Sequence, residues 1–139
     1  MEIHEHRAGT ILILEPVGQL DRKTSPELQQ KVVDLIDQGT RNLVVDLVRT
    51  ENIGGAGLRV LLMLTKKLES INGNLVLCSV TDEVRHAFDV AGFGRMLSMT
   101  SSRDEAVRSL AGDETVARIS DLALQILGAA PESDTTTES

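Results

Sequence analysis

The chain has 139 residues, enough for one domain and an appendage but too few for two independent cores. A formal charge of −7, the lack of Trp and Tyr and just two aromatics, Phe88 and Phe93, argue against nucleic acid as a partner, which calls for a basic face or exposed stacking rings. One cysteine, Cys78, excludes an intrachain disulfide and a cysteine-based metal site. The charged start and the lack of any apolar run near the ~18–20 residues that span a bilayer make a cytosolic chain without membrane insertion the expectation.

Glu2 to Arg7 alternates weakly and meets a turn at Ala8-Gly9-Thr10. The run Ile11-Leu12-Ile13-Leu14 that follows is too short for a helix and rich in strand formers, so the two segments predict a hairpin. Beyond Pro16 and Gly18, a first helix is expected with Thr24 or Ser25 as cap, Pro26 in its first turn and Glu27 completing a capping box with Thr24. Leu28, Val32, Leu35 and Ile36 share one face of it, and Gly39 stops it. Leu43 to Leu47 reads as a short buried strand. A glycine-rich bend, Gly54-Gly55-Ala56-Gly57, precedes a leucine-rich second helix that ends at Asn72-Gly73.

Leu75 to Cys78 is the next strand, and Thr81 can cap a third helix that bears Val84, Ala87 and Phe88 and ends at Gly92. Met96 to Thr100 is a last short strand. A fourth helix starts at Ser102, with Glu105 as its capping-box partner, and reaches about Ala111. Alternating strands and helices imply an α/β fold with a mixed, mostly parallel sheet, an N-terminal hairpin at its edge and about four helices. Residues 1–111 are the expected domain. Residues 112–130 carry Val116, Ile119, Ala123 and Ile126 at helical spacing, an amphipathic extension that must bury its face on the domain or on another subunit, as in a homodimer. Residues 131–139 are small, polar and acidic and are expected to be disordered.

No catalytic constellation emerges. His4 and His6 share one face of an edge strand without a third ligand, and Cys78 lies in an apolar strand with nothing nearby to activate it. Asp46 ends a buried strand, which suits a structural or loop-ordering role. The glycine bend precedes a helix N-terminus, where free N–H groups could meet a phosphate, but it lacks both the Lys-Ser/Thr of a P-loop and the G-x-G-x-x-G spacing. No cofactor and no metal are expected, and the chain does not read as an enzyme.

Four segments in order resemble the STAS family, which includes bacterial anti-sigma factor antagonists, lipid-transport accessory subunits and the tails of anion transporters. Gly18-Gln19-Leu20-Asp21 resembles its G-x-L-D. Val44-Val45-Asp46-Leu47 resembles the strand before its signature loop, and Gly57-Leu58 the start of the helix after it. Phe88-Asp89-Val90-Ala91-Gly92-Phe93 resembles its F-D-x-x-G-[LF] segment. The resemblance covers roughly residues 2–110. In the antagonist branch the loop reads approximately D-S-S-G-L, and its first Ser is phosphorylated by a partner that is both kinase and anti-sigma factor.

Here the aligned residues are Gly54, Gly55, Ala56, Gly57 and Leu58, so the phosphorylatable Ser is replaced by Gly55. The resemblance implies a regulatory module for transcription signalling that docks on a serine kinase-like anti-sigma factor through Asp21, Arg22, Ile53, residues 54–58 and Phe93. Asp21 suits a plain turn equally well. Two other functions fit the same sequence: a cytosolic accessory subunit of a membrane transporter, and a small nucleotide-binding α/β protein.

Overall fold

The apolar runs become strands with no solvent face. In the computed structural model, which describes residues 1–111, every residue of β2 (Ile11–Pro16) is buried, and so are Leu43–Asp46 of β4 (Asn42–Asp46) and Leu75–Cys78 of β6 (Asn74–Cys78). Such doubly covered strands carry continuous apolar sequence instead of an alternating pattern. Met1–Val107 is one compact unit, and a second begins at Arg108.

In chain order the elements are β1 (Ile3–Ala8), β2, β3 (Gly18–Leu20), α1 (Ser25–Asp37), β4, a 3₁₀ turn (Leu47–Arg49), β5 (Thr50–Ile53), α2 (Gly55–Ser70), β6, α3 (Asp82–Val90), β7 (Ser98–Thr100) and α4 (103–111). The main sheet has the order β1-β2-β4-β6-β7. Only β1 runs antiparallel, paired to β2 from Ile3↔Pro16 to Ala8↔Ile11, so the expected edge hairpin is present. The other neighbours are parallel, with registers such as Leu14↔Val45 and Val45↔Leu77. One face, with Leu12, Leu14, Val45 and Leu77, shares a core cluster with Leu28 and Val32 of α1 and Leu61 and Leu64 of α2.

The first three helices stop in the same way. At the end of α1, Gly39 takes a φ of +105°, its N–H donates to the Ile36 carbonyl (3.0 Å), and the Thr40 N–H donates to Leu35 (2.9 Å). This Schellman arrangement satisfies carbonyls that the helix end leaves over. Asn72 does the same for α2, with Gly73 N–H to Leu68 O at 2.7 Å, and Gly92 does it for α3, with Phe93 N–H to Phe88 O at 2.8 Å. The F-D-x-x-G-F segment is thus a helix stop, in which Phe88 is fully buried and Phe93 packs half-buried against the same core.

The helix starts are more varied. Thr81 caps α3 as expected, its Oγ accepting from Val84 N–H at 3.2 Å. At α4, Ser102 Oγ accepts from Glu105 N–H, while Glu105 reaches back to Ser101. The expected Thr24–Glu27 capping box is not formed. Thr24 has no side-chain cap bond, because its hydroxyl donates to the Gln19 carbonyl (2.7 Å) and accepts from Asp21 N–H (2.9 Å).

Two further corrections concern the loops. The sequence reading gave no strand at Gly18–Leu20 or Thr50–Ile53, yet these form a small separate parallel sheet. They lack apolar periodicity, and pairing to each other at a distance in sequence supplies the order. The last strand is Ser98–Thr100, shorter than Met96 to Thr100, since Met96 closes a turn to the Phe93 carbonyl. The expected extension (112–130) and tail (131–139) lie outside the described residues.

Gly73 is where α2 turns tightly onto the start of β6. A Cβ there would come within 2.5 Å of the Arg41 carbonyl and 2.9 Å of Leu68 Cδ2. Gly73→Ala is expected to destabilise the fold by about 1–3 kcal/mol, the usual cost of overpacking. A urea melt with an unchanged midpoint would show that this junction is looser than its contacts imply.

Candidate functional site

The small parallel sheet brings the corner after β3 against the start of α2. The β3–β5 ladder pairs Gly18 with Thr50, Gln19 with Asn52 and Leu20 with Ile53, with a register shift after Gly18. Beyond the ladder the Gly54 N–H donates to the Leu20 carbonyl at 2.9 Å. Leu20 is fully buried, and Ile53 packs half-buried on the core. Asp21 therefore emerges beside Gly54, although 33 positions separate them in the sequence: a Cβ on Gly54 would lie 4.0 Å from Asp21 Cα.

The glycine bend is not a loop. Gly54 is the N-cap of α2, in extended conformation (φ −87°, ψ 178°), and Gly55, Ala56 and Gly57 are its first helical residues. Gly57 is the tight position. A Cβ there would meet the Leu20 carbonyl at 2.6 Å, Leu20 Cγ at 2.9 Å and Ile53 Cγ2 at 3.1 Å. Only a residue without a side chain lets the helix lie this close to β3. Gly55 differs: it is exposed, and a Cβ would meet nothing nearer than the Arg59 guanidinium at 3.6 Å. The glycines of the bend are thus divided between a buried packing contact and an open surface.

Of the residues named from the sequence, the structure groups Asp21, Ile53, Gly54, Gly55 and Ala56 at one corner. Arg22, next to Asp21, is exposed. Gly57 and Leu58 are buried and lie beneath that surface. Phe93 belongs to the α3 stop described above, and its half-buried ring faces the core cluster.

Asp21 organises the corner. Its Oδ1 accepts from the Lys23 N–H (2.9 Å) and the Thr24 N–H (3.1 Å), which makes an Asx turn into α1. Those two backbone donors hold its carboxyl below the ordinary carboxylate range. Elsewhere, burial pushes the Cys78 thiol up to about 12, with the Asp46 carboxylate adding to the shift, so this cysteine is a packed thiol. Asp46 caps the 3₁₀ turn, accepting from Val48 N–H at 3.0 Å, in keeping with the loop-ordering role expected of it.

Sequence reasoning missed Glu15, Arg49 and Arg103. Glu15 is 6% exposed and holds both arginines. Its signal was a charge closing the apolar run Ile11–Leu14, but the partners lie 34 and more positions away. His4 and His6, which share one face of the edge strand, both approach Glu15, at 3.6 and 3.7 Å. Among the described residues no group of His, Cys, Asp and Glu could hold a metal ion, and no helix is long and apolar enough to cross a membrane.

Comparison with known proteins agrees with this geometry. Residues 3–106 match the STAS domain. A Bordetella bronchiseptica protein that bears the name anti-sigma factor antagonist BtrV is 35% identical over 106 residues, covering 76% of this chain and 91% of that protein. The anti-sigma factor antagonist SpoIIAA in its unphosphorylated form superposes with a TM-score of 0.69 at 19% identity, over 80% of this chain and 97% of SpoIIAA. A sulfate transporter family protein from Wolinella succinogenes reaches 0.65 at 20% identity, over 73% and 85% of the two chains. The last two likenesses speak to the fold alone.

Two outcomes are expected at this corner. Gly57→Ala should cost about 1–3 kcal/mol by overpacking, while Gly55→Ala should leave stability unchanged or raise it by about 0.4–1 kcal/mol through the unfolded chain. Equal losses in parallel thermal melts would contradict the division between the two glycines. As for pH, the lowered Asp21 carboxyl contributes stability above its unfolded value and loses it as pH falls through the depressed folded value. The Lys23 and Thr24 amide resonances should therefore titrate below the ordinary carboxylate range, and a midpoint within that range would refute the Asx turn.

Proposed function

The chain belongs to the STAS domain family, and from that membership we propose that it is a regulatory protein-interaction module of the anti-sigma factor antagonist kind. It acts by binding and performs no chemistry of its own. The observation that carries this reading is the junction of the Leu20–Asp21 corner with the first turn of α2. It displays Asp21, Arg22, Gly54, Gly55 and Ala56 together, supported from below by Ile53, Gly57 and Leu58. The curated relative at 35% identity bears the name of an antagonist and is matched over nearly its whole length, which supports the same role. The partner is a serine kinase-like anti-sigma factor, and binding releases a transcription factor by competition.

The loop sets this chain apart from a phosphorylation switch of the family kind. SpoIIAA is a protein for which both phosphorylated and unphosphorylated forms have been solved. A phosphoserine adds about 1.5 to 2 negative charges, which a close-packed interface must desolvate. Gly55 stands where the family places its phosphorylated Ser, and it has no oxygen to modify. The module is held in its docking-competent form, or is controlled at some other position.

Gly55→Asp separates docking from folding. The position is open, and an acidic side chain in the first turn of a helix near Arg59 favours the folded state. The variant should melt no lower than wild type, yet lose a kinase-like partner that wild type retains in a pull-down from native cytosol. Retention of that partner by both proteins would remove the loop from the interface. Capture of a transporter ATPase instead would favour the accessory-subunit role, and micromolar ATP or GTP binding would favour the nucleotide-binding one.

A further inference from the structure

Two carboxylates are buried side by side at the C-terminal edge of the sheet. Glu15 follows Leu14 on β2 and Asp46 follows Val45 on β4, and Leu14 and Val45 are register partners. They are 6% and 3% exposed. Like charges this close in a poorly solvated place repel strongly unless a cation lies between them. Arg103, at the start of α4, supplies it: its Nε donates to Asp46 Oδ2 at 2.9 Å and its terminal nitrogen contacts Glu15 Oε2. One guanidinium thus bridges both acids, as its planar fork of donors allows.

The remaining oxygens of the same two acids hold the segment that leads to the docking corner. Asp46 Oδ1 accepts from Val48 N–H at 3.0 Å, and Glu15 Oε1 accepts from Arg49 Nε at 3.1 Å. The Thr50 hydroxyl adds a bond to the Pro16 carbonyl at 2.9 Å. From Thr50 onward, β5 pairs with β3 and delivers Gly54 to the Leu20 carbonyl. His4 and His6 approach the same Oε1 of Glu15, and both remain partly exposed.

We infer that Arg103 is a positioning residue for the docking corner: by bridging Glu15 and Asp46 from α4, it frees their other oxygens to fix residues 48–53 and so sets where Gly54 and Gly55 are presented. The functional meaning of this tie rests on the docking role proposed above; the tie itself does not. Without the bridge, Asp46 Oδ2 loses its cation and the repulsion between the acids falls on the bonds that anchor Val48 and Arg49. A change at the start of α4 is then transmitted to the corner through two carboxylates.

The test needs no partner. Arg103→Lys keeps the charge but concentrates it at one ammonium, which cannot reproduce the two-pronged bridge. In the full-length variant, amide resonances of Val48 to Gly55 should shift and their hydrogen exchange should quicken by about tenfold, while amides of Leu64 to Leu68 in α2 keep wild-type values. Adding Asp46→Asn, which removes the repulsion but keeps an Oδ1 acceptor for Val48, should restore the corner resonances. If Arg103→Lys proves too unstable to study, the comparison moves to Arg103→Met/Asp46→Asn, which should show wild-type corner resonances. Shifts confined to residues 102–106, uniform acceleration over the whole domain, or no restoration by Asp46→Asn would each overturn the inference. Loss of partner capture by wild type would defeat the docking role and leave this result standing.

Discussion

At the corner after β3, the first turn of α2 closes tightly on the Leu20 carbonyl. That oxygen accepts the Gly54 N–H and faces Gly57 at a distance that no Cβ could share. The contact joins a three-residue strand to a sixteen-residue helix that is anchored in the core through Leu58, Leu61, Leu64 and Leu68. A strand as short as Gly18–Leu20 has little stability by itself. It holds its place because Leu20 is fully buried and because β5 pairs with it. The surface that carries Asp21 and Gly55 therefore rests on a helix whose Leu58, Leu61, Leu64 and Leu68 face is buried in the core.

This arrangement places the exposed groups on rigid backbone. Asp21 is fixed by two backbone donors, and Gly55 is held within a helical turn instead of on a loop tip. Fixed groups of this kind lose little ordering entropy in any contact they make. A parallel sheet with both faces covered provides the platform, and its strand ends are where α/β folds present their sites. The Glu15–Arg103–Asp46 bridge lies at that same edge and satisfies charges that the burial of β2 and β4 would otherwise leave uncompensated.

The glycines of this fold answer to two different demands. The helix stops at Gly39, Asn72 and Gly92 and the close approach at Gly57 are demands of the backbone, so they follow from folding whatever the partner. Gly55 is under no such demand. Nothing near it excludes a side chain, and its φ is not in the left-handed region. The absence of a hydroxyl there is thus a matter of surface chemistry and not of packing.

By itself, the sequence determined what depends on neighbours within one element. The short apolar runs at Ile11–Leu14, Leu43–Val45 and Leu75–Cys78 read as strands by their length and strand-forming residues, and the spacing of Leu28, Val32, Leu35 and Ile36 reads as one helix face. The mixed sheet and the stops at Gly39 and Gly92 follow from such local chemistry, and four short motifs in order pointed to the STAS family. The tertiary structure alone decided what depends on residues distant in the chain. The pairing of Gly18–Leu20 with Thr50–Ile53, the diversion of Thr24 from its cap to the Gln19 carbonyl, and the meeting of Glu15 with Arg49 and Arg103 all arise from contacts between separate segments. Such pairings leave no periodic trace, because each residue is placed by the packing of the elements around it and not by its own neighbours in sequence.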